Sequence, residues 1–142
     1  MSIWNKTPTL EFITERFANN MISHIGIEIT EVGDDFLKGR MPVDERTKQP
    51  AGILHGGASV ALAETLGSMA ANLCINTEKY YCVGLDINSN HIRIMKEGYV
   101  YGVAKPLHLG QKTQVWEIKI TDEKDRLVNV SRLTMAIVEN MK

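Results

Sequence analysis

The sequence predicts an α+β fold in which a long antiparallel sheet wraps around one central helix. Residues 56–77, GGASVALAETLGSMAANLCINT, are rich in Ala, Leu and Met and carry one charged residue, Glu64, as expected of a buried helix. After this segment the apolar period changes to two, which is typical of strands. A helix followed by a run of strands predicts a sheet packed against that helix.

The elements before the long helix are short. Thr7 and Pro8 have the chemistry of a helix start, as cap and first helical residue. The helix would run to about residue 19, with Leu10, Ile13 and Phe17 as its apolar side. A hairpin follows, with strands at 26–32 and 36–43 around a turn at 33–35, and residues 44–52 form a loop into the long helix.

The elements after the long helix are strands. Residues 81–94, 99–104, 113–121 and 127–138 alternate between apolar and polar side chains, most plainly at 116–120. Turn sequences at 96–98 and 122–125 separate them. Consecutive strands joined by such turns predict an antiparallel meander.

The two sides of the long helix differ in size. A bulky stripe suits packing on the sheet: Leu62, Leu66, Met69 and Leu73. The opposite side is mostly small around the acid: Val60, Glu64, Gly67, Ser68 and Ala71. A water-facing side normally carries several charges, so we expect this side to pack against another copy of the chain in an obligate oligomer.

Composition limits the possible classes of protein. A chain of 142 residues with 44% hydrophobic and 23% charged residues fits one globular domain over 1–142. A net charge of −1 gives no electrostatic footprint for nucleic acid. The N-terminus lacks a signal peptide pattern, and no apolar run is long enough to span a membrane. Cys74 and Cys82 form no disulfide framework, so we expect free thiols in the cytoplasm.

Glu64 is the leading candidate for chemistry. A buried ionised carboxylate is costly unless something nearby uses or compensates it. Just upstream, the segment QPAGILHGG brings Gly56 to the helix start, where its amide can polarise a carbonyl with the helix dipole behind it. Taken alone, the glycines equally indicate a tight turn. Ser68, one turn after Glu64, either holds the carboxylate or a water, or bonds back to its own turn.

Three segments carry a family resemblance: QPAGILHGGASVALAETLGS, VGLDINSNHIR and KPLHLG. With the order of elements, they resemble the hotdog-fold acyl-CoA thioesterases over about residues 9–138, in the branch that acts on aromatic acyl-CoA thioesters. Gln49 in the loop and Glu64 on the helix match that branch. It includes enzymes that hydrolyse 1,4-dihydroxy-2-naphthoyl-CoA in menaquinone biosynthesis, to which the chain looks most similar, and enterobactin proofreading thioesterases acting on groups such as hydroxybenzoyl.

The resemblance implies hydrolysis to the free acid and CoA, with no cofactor and no metal. It also implies dimers joined edge to edge, paired into tetramers, with Glu64 of one protomer facing Gln49, His55 and Gly56 of its neighbour. Glu64 would attack the carbonyl or activate a water, while Gln49 and His55 orient the thioester. The segments implied to bind CoA comprise Gly84; His91, Ile92, Arg93 and Ile94; and His108, Leu109, Gly110, Gln111, Lys112 and Thr113.

Other protein classes are weighed against this interpretation. An α/β-hydrolase needs a longer chain and a G-x-S-x-G elbow, and a metalloprotease-type zinc site needs HExxH spacing; neither motif is present. A hotdog dehydratase would use a His and an acid as proton shuttles, but the helical Glu with a loop Gln fits hydrolysis better. A non-catalytic acyl-CoA-binding module would have no need of the acid.

Overall fold

A six-stranded antiparallel sheet and one long helix form the centre of the molecule, which a computed structural model describes for residues 1–141. The helices are α1 (Leu10–Phe17), α2 (Met21–His24) and α3 (Gly56–Leu73). The strands are β1 (Glu28–Val32), β2 (Leu37–Pro42), β3 (Tyr80–His91), β4 (Tyr99–Leu109), β5 (Thr113–Thr121) and β6 (Leu127–Glu139). Their order in the sheet is β1-β2-β4-β5-β6-β3, and the predicted α+β hotdog layout is confirmed.

The start of the first helix was predicted two residues too early. The side chain of Thr9, not of Thr7, caps α1 by accepting a hydrogen bond of 3.1 Å from the Phe12 N–H. Ile13 and Phe17 are buried as expected, whereas Leu10 is exposed. The short helix α2, capped by Asn20, has no counterpart in the prediction.

The predicted meander is wrong for one strand. β3 pairs with β6 rather than with β4, and β2 takes the place beside β4. α3 contacts every strand from β2 to β6, so the chain leaving α3 joins the far edge of the sheet. β3 also ends at His91, three residues before its predicted end, and β4 continues to Leu109.

Glycines let α3 lie close to the sheet. A Cβ at Gly39 would come within 2.8 Å of a Leu66 methyl, and one at Gly102 within 2.6 Å of the other methyl. A Cβ at Gly67 would lie 2.6 Å from Leu133. The predicted division of the helix is therefore wrong in part: Gly67 and Ala71 are buried against the sheet with Leu62 and Leu66, while Met69 and Leu73 are only partly buried.

The alternation of β5 meets the expectation drawn from its sequence. Trp116, Ile118 and Ile120 point into the core and are fully buried. The buried amide of Gln114 accepts the Trp116 indole N–H at 2.8 Å, which satisfies a polar group inside the apolar core. Across residues 1–141, none of the helices combines the length and the apolar character needed to cross a bilayer.

Candidate active site

Glu64 lies on the open side of α3 and faces Gly84 of β3. A Cβ built on Gly84 would lie 3.0 Å from Glu64 Oε2, so the carboxylate occupies space that any other residue at 84 would take. Within residues 1–141 the carboxylate forms no ion pair. The predicted burial of Glu64 is wrong for the single chain, because the carboxylate lies at the edge strand of the sheet and is exposed there.

A groove of about 540 Å³ runs along this open side between α3 and the two short helices. Glu64 and Ser68 both line it, one helical turn apart. Among the hydrogen bonds of residues 1–141, the Ser68 hydroxyl makes none back to its own turn, so it is available to a ligand, a water or the carboxylate. The remaining lining is largely apolar or small: Phe17, Met21, Ile22, Gly57, Val60, Ala61, Thr65 and Met69, with Arg16 and Asn72.

The N-terminus of α3 presents an unused backbone donor. His55 caps the helix, since its Nδ1 accepts the Gly57 N–H at 2.7 Å. The N–H groups of Ala58 and Ser59 bond to the His55 carbonyl oxygen. The Gly56 N–H finds no acceptor within residues 1–141, and it stands at the positive end of the helix dipole.

The loop before α3 is held by its own hydrogen bonds. The side-chain oxygen of Gln49 accepts the Ala51 N–H, and the main-chain carbonyl oxygen of Gln49 accepts the Gly52 N–H at 2.9 Å. Gly52 has a φ of 81°, a conformation that glycine adopts without strain. Because their acceptor atoms are used internally, Gln49 keeps its amide N–H groups and His55 keeps its Nε2–H as donors for a substrate.

His91 lies against the first residue of α3. A Cβ at Gly56 would come within 2.9 Å of both Cε1 and Nε2 of the imidazole. The ring and the free Gly56 N–H are therefore neighbours. Arg93, by contrast, lies outside β3 although the predicted strand ran to residue 94. Ile92, Arg93 and Ile94 form the loop after β3, where the N–H groups of Ile92 and Arg93 bond to the Val128 carbonyl.

The other segment implied to bind CoA is the tight turn between β4 and β5. The Gly110 N–H bonds to the Thr113 carbonyl at 2.9 Å. Gly110 is packed closely, since a Cβ there would lie 2.6 Å from His108 Nε2. Leu109, Gln111 and Lys112 are exposed around the turn.

A single chain does not bring all the candidate residues together. Gly56 and Glu64 are eight residues apart on α3, or about 12 Å along the helix axis. On β6, Asn129 is opposite His91 and Ala136 is opposite Thr113, which separates the two segments implied to bind CoA by about 23 Å along the sheet.

The candidate residues of one chain therefore fall into two groups, which we call half-sites. The acid half-site comprises Glu64, Gly84 and the turn at 108–113. These residues lie at the same position along the strand direction, because Met135 of β6 pairs with both Gly84 and Gln114. The glycine half-site comprises Gly56, with the capping loop at 49–55, and the segment from His91 to Ile94.

Two other kinds of chemistry find little support in the side chains. Burial raises the pKa of the Cys74 thiol to about 12, with a smaller contribution from Cys82, and burial raises that of Cys82 to about 11, so neither is an activated nucleophile. Within residues 1–141, no three His, Cys, Asp or Glu side chains are grouped so as to hold a metal ion.

Sequence comparison finds close relatives over nearly the whole chain. A family model described as "Thioesterase superfamily" matches residues 51–129. The 1,4-dihydroxy-2-naphthoyl-CoA hydrolase of Escherichia coli is 54% identical over 136 residues, covering 96% of this chain and 99% of the relative. The proofreading thioesterase EntH of Cronobacter turicensis is 50% identical over 137 residues, covering 96% and 98%. Other relatives of similar identity are named only as esterases.

Solved structures agree with the fold. A thioesterase from Haemophilus influenzae has a TM-score of 0.95 and 48% identity, covering 99% of this chain and 97% of that chain. A protein from Staphylococcus aureus was solved with a glutamate replaced by alanine; its TM-score is 0.82 and its identity 40%, covering 85% and 100%. A second structure of that protein, called a thioesterase, has a glutamine replaced by alanine. The two replaced residues are separated by the same number of positions as Gln49 and Glu64.

Proposed function

Because the chain belongs to the thioesterase superfamily, we propose that this thioester hydrolase cleaves aromatic acyl-CoA thioesters to the free acid and CoA. The observation that carries the proposal is the carboxylate of Glu64, which opens onto a groove, forms no ion pair within residues 1–141 and fits against a glycine. A carboxylate that lines a largely apolar groove is the kind of polar group that fixes and acts on a small-molecule ligand.

The reaction divides between the two half-sites. The Gly56 N–H, with the dipole of α3 behind it, donates to the thioester oxygen as negative charge develops there; such a donor is worth about 3 kcal/mol of barrier. Glu64 either attacks the carbonyl carbon and expels the CoA thiolate, giving a mixed anhydride that water hydrolyses to the free acid, or takes a proton from a water that attacks the carbonyl and displaces the thiolate. Gln49 and His55 direct their free N–H groups at the thioester, and Ser68 holds the carboxylate or the water.

We place the acyl group in the groove beside Glu64. The volume of the groove, about 540 Å³, lies in the range of small-molecule pockets, and its walls are mostly apolar, which suits a flat ring system. We favour 1,4-dihydroxy-2-naphthoyl-CoA, and hence a role in menaquinone biosynthesis, because a relative of that name is 54% identical. A proofreading role on other aryl thioesters is the second candidate, since EntH is 50% identical. Comparing kcat/KM across naphthoyl-, hydroxybenzoyl- and phenylacetyl-CoA separates the two.

A second copy of the chain completes each site. β3 is an edge strand with exposed apolar side chains, including Val83 and Leu85. Antiparallel pairing of two β3 edges brings the acid half-site of one chain to the glycine half-site of the other, and the twofold axis makes two such sites. We expect these dimers to pair into a cytoplasmic tetramer. Sedimentation of the protein as a monomer would contradict this expectation.

The proposed reaction needs no cofactor or metal, so turnover should be unchanged when EDTA is added.

The first test removes the charge of Glu64 and keeps its shape. E64Q should lower turnover of benzoyl-CoA by at least about 10²-fold, followed as release of the CoA thiol. Glu31→Gln, which changes an exposed glutamate on β1 that does not line the groove, is the matched control and should turn over normally. Near-normal turnover by E64Q would refute the assignment.

The second test asks whether the site is shared. Two inactive variants, E64Q and His55→Ala, are unfolded together and refolded as a mixture. Random pairing leaves one intact site in half of the dimers, which should restore about a quarter of the wild-type activity. If both half-sites worked within one chain, mixing would restore nothing.

A further inference from the structure

A buried polar cluster lies next to His91, at the end of β6 beneath the glycine half-site. Asn129 is fully buried and Ser131 is nearly so. The Asn129 amide nitrogen is 2.7 Å from Ser89 Oγ and 3.1 Å from His91 Nδ1. The Asn129 amide oxygen is 2.9 Å from Ser131 Oγ, and the two serine hydroxyls are 2.8 Å apart.

Counting hydrogens assigns the direction of each bond. The Ser131 hydroxyl has one hydrogen, which it donates to the Asn129 oxygen. The Ser89 hydroxyl hydrogen is then left for Ser131 Oγ. The two amide hydrogens of Asn129 go to Ser89 Oγ and to His91 Nδ1. With the Asn129 amide in this orientation every hydrogen is used once, and His91 Nδ1 is an acceptor, which puts the ring proton on Nε2.

The Nε2 edge of this ring is the edge that covers Gly56. An Nε2–H held there is a second donor beside the free Gly56 N–H. We propose that Asn129 is a positioning residue, which holds His91 as an Nε2–H donor so that both N–H groups face the thioester oxygen. This inference rests on the proposed function of the site.

The cluster is more than the strand needs for its own stability. Further along β6, the inward positions Leu133 and Met135 are apolar, and apolar packing would be no less stable at 129 and 131 than a polar cluster. The two buried polar residues of this strand, Asn129 and Ser131, are the ones that lie opposite His91 and Ser89. The two serines pair with the amide oxygen and with one amide hydrogen of Asn129. The second amide hydrogen bonds to the imidazole of His91.

The test combines nitrogen-15 NMR of the four histidine side chains with steady-state kinetics. His91→Gln identifies the His91 signals by their loss. In the wild type at pH 8, His91 Nδ1 should carry no proton and Nε2 should carry one. In Asn129→Asp, which keeps the shape, the carboxylate accepts a hydrogen bond and should draw a proton onto Nδ1.

Asn129→Ala should lower kcat about tenfold with KM changed less than twofold, a smaller loss than the about 10²–10³-fold cost of removing an oxyanion donor outright. Gln114→Ala is the matched control, because it removes a buried amide that bonds only Trp116 and the backbone of α3. Its kcat per folded molecule should stay at the wild-type value. A proton on Nδ1 in the wild type, or a kcat for Asn129→Ala no lower than that of the control, would overturn the inference. If the wild type hydrolyses no aryl-CoA, the proposed function fails, and the NMR result still decides the role of Asn129.

Discussion

Replacing Gly84 by alanine should damage turnover while leaving the fold intact. The added methyl would lie 3.0 Å from Glu64 Oε2, whereas ordinary contacts begin at 3.4 Å. The carboxylate must therefore retreat by about 0.4 Å. If a displacement of 1 Å costs about 10²-fold, this displacement costs about sixfold in kcat.

The free energy of unfolding should move in the opposite direction. Gly84 is not among the glycines with positive φ, so alanine adopts its backbone conformation without strain. Because alanine has fewer unfolded conformations than glycine, the free energy of unfolding should rise by about 0.4–1 kcal/mol. A variant that is more stable and less active separates damage to the site from damage to the fold.

A double-mutant cycle makes the test specific for the contact between residues 64 and 84. Glu64→Asp shortens the side chain and withdraws the carboxylate from the added methyl. Gly84→Ala should then cost much less in the Asp background than in the wild type. Both are measured as thiol release from benzoyl-CoA, with thermal unfolding alongside. An unchanged kcat in the single variant, or an equal loss in both backgrounds, would refute the reasoning.

Three further predictions concern other parts of the chain. Gly67→Ala should lower the free energy of unfolding by about 1–3 kcal/mol in denaturant titration, because the new methyl would lie 2.6 Å from a buried leucine methyl. Arg93→Ala and Lys112→Ala should raise KM for CoA esters more than they lower kcat; an unchanged KM in both would remove them from the site. Although burial opposes it, hydrogen bonds from Arg126 and from the Lys124 N–H hold the pKa of Asp122 below its ordinary value, so Asp122→Asn should destabilise the protein at neutral pH. That difference should shrink as the pH falls below about 4 and Asp122 becomes protonated, and a difference that persists in acid would contradict it.

Local sequence patterns predicted the elements that depend on local interactions. β5 has its predicted bounds because alternation and flanking turns define it without reference to other strands. The start of α3 was also predicted, since His55, Gly56 and Gly57 form a cap within a few residues. The partner of β3 was not predicted. Its pairing depends on the edge of the sheet at which α3 ends, and a local sequence pattern does not encode that position.

The candidate site shows the same division. Glu64 stands out in the sequence as the only charge on its helix. Its exposure in the single chain, and the distance from Gly56, follow only from the helix geometry and the sheet register. Asn129 gave no signal, because an asparagine within an alternating strand looks like a solvent-facing residue until its neighbours are known.

The close seating of α3 has a consequence for how this protein tolerates change. The absence of side chains at Gly39 and Gly102 sets the distance at which Leu66 packs on β2 and β4, and Glu64 is only two positions away on the same helix. A side chain added at either glycine would push α3 away from these strands and displace the carboxylate of Glu64. A screen for folded but inactive variants should therefore return hits at these two buried positions between the helix and the sheet, which no bound molecule could reach.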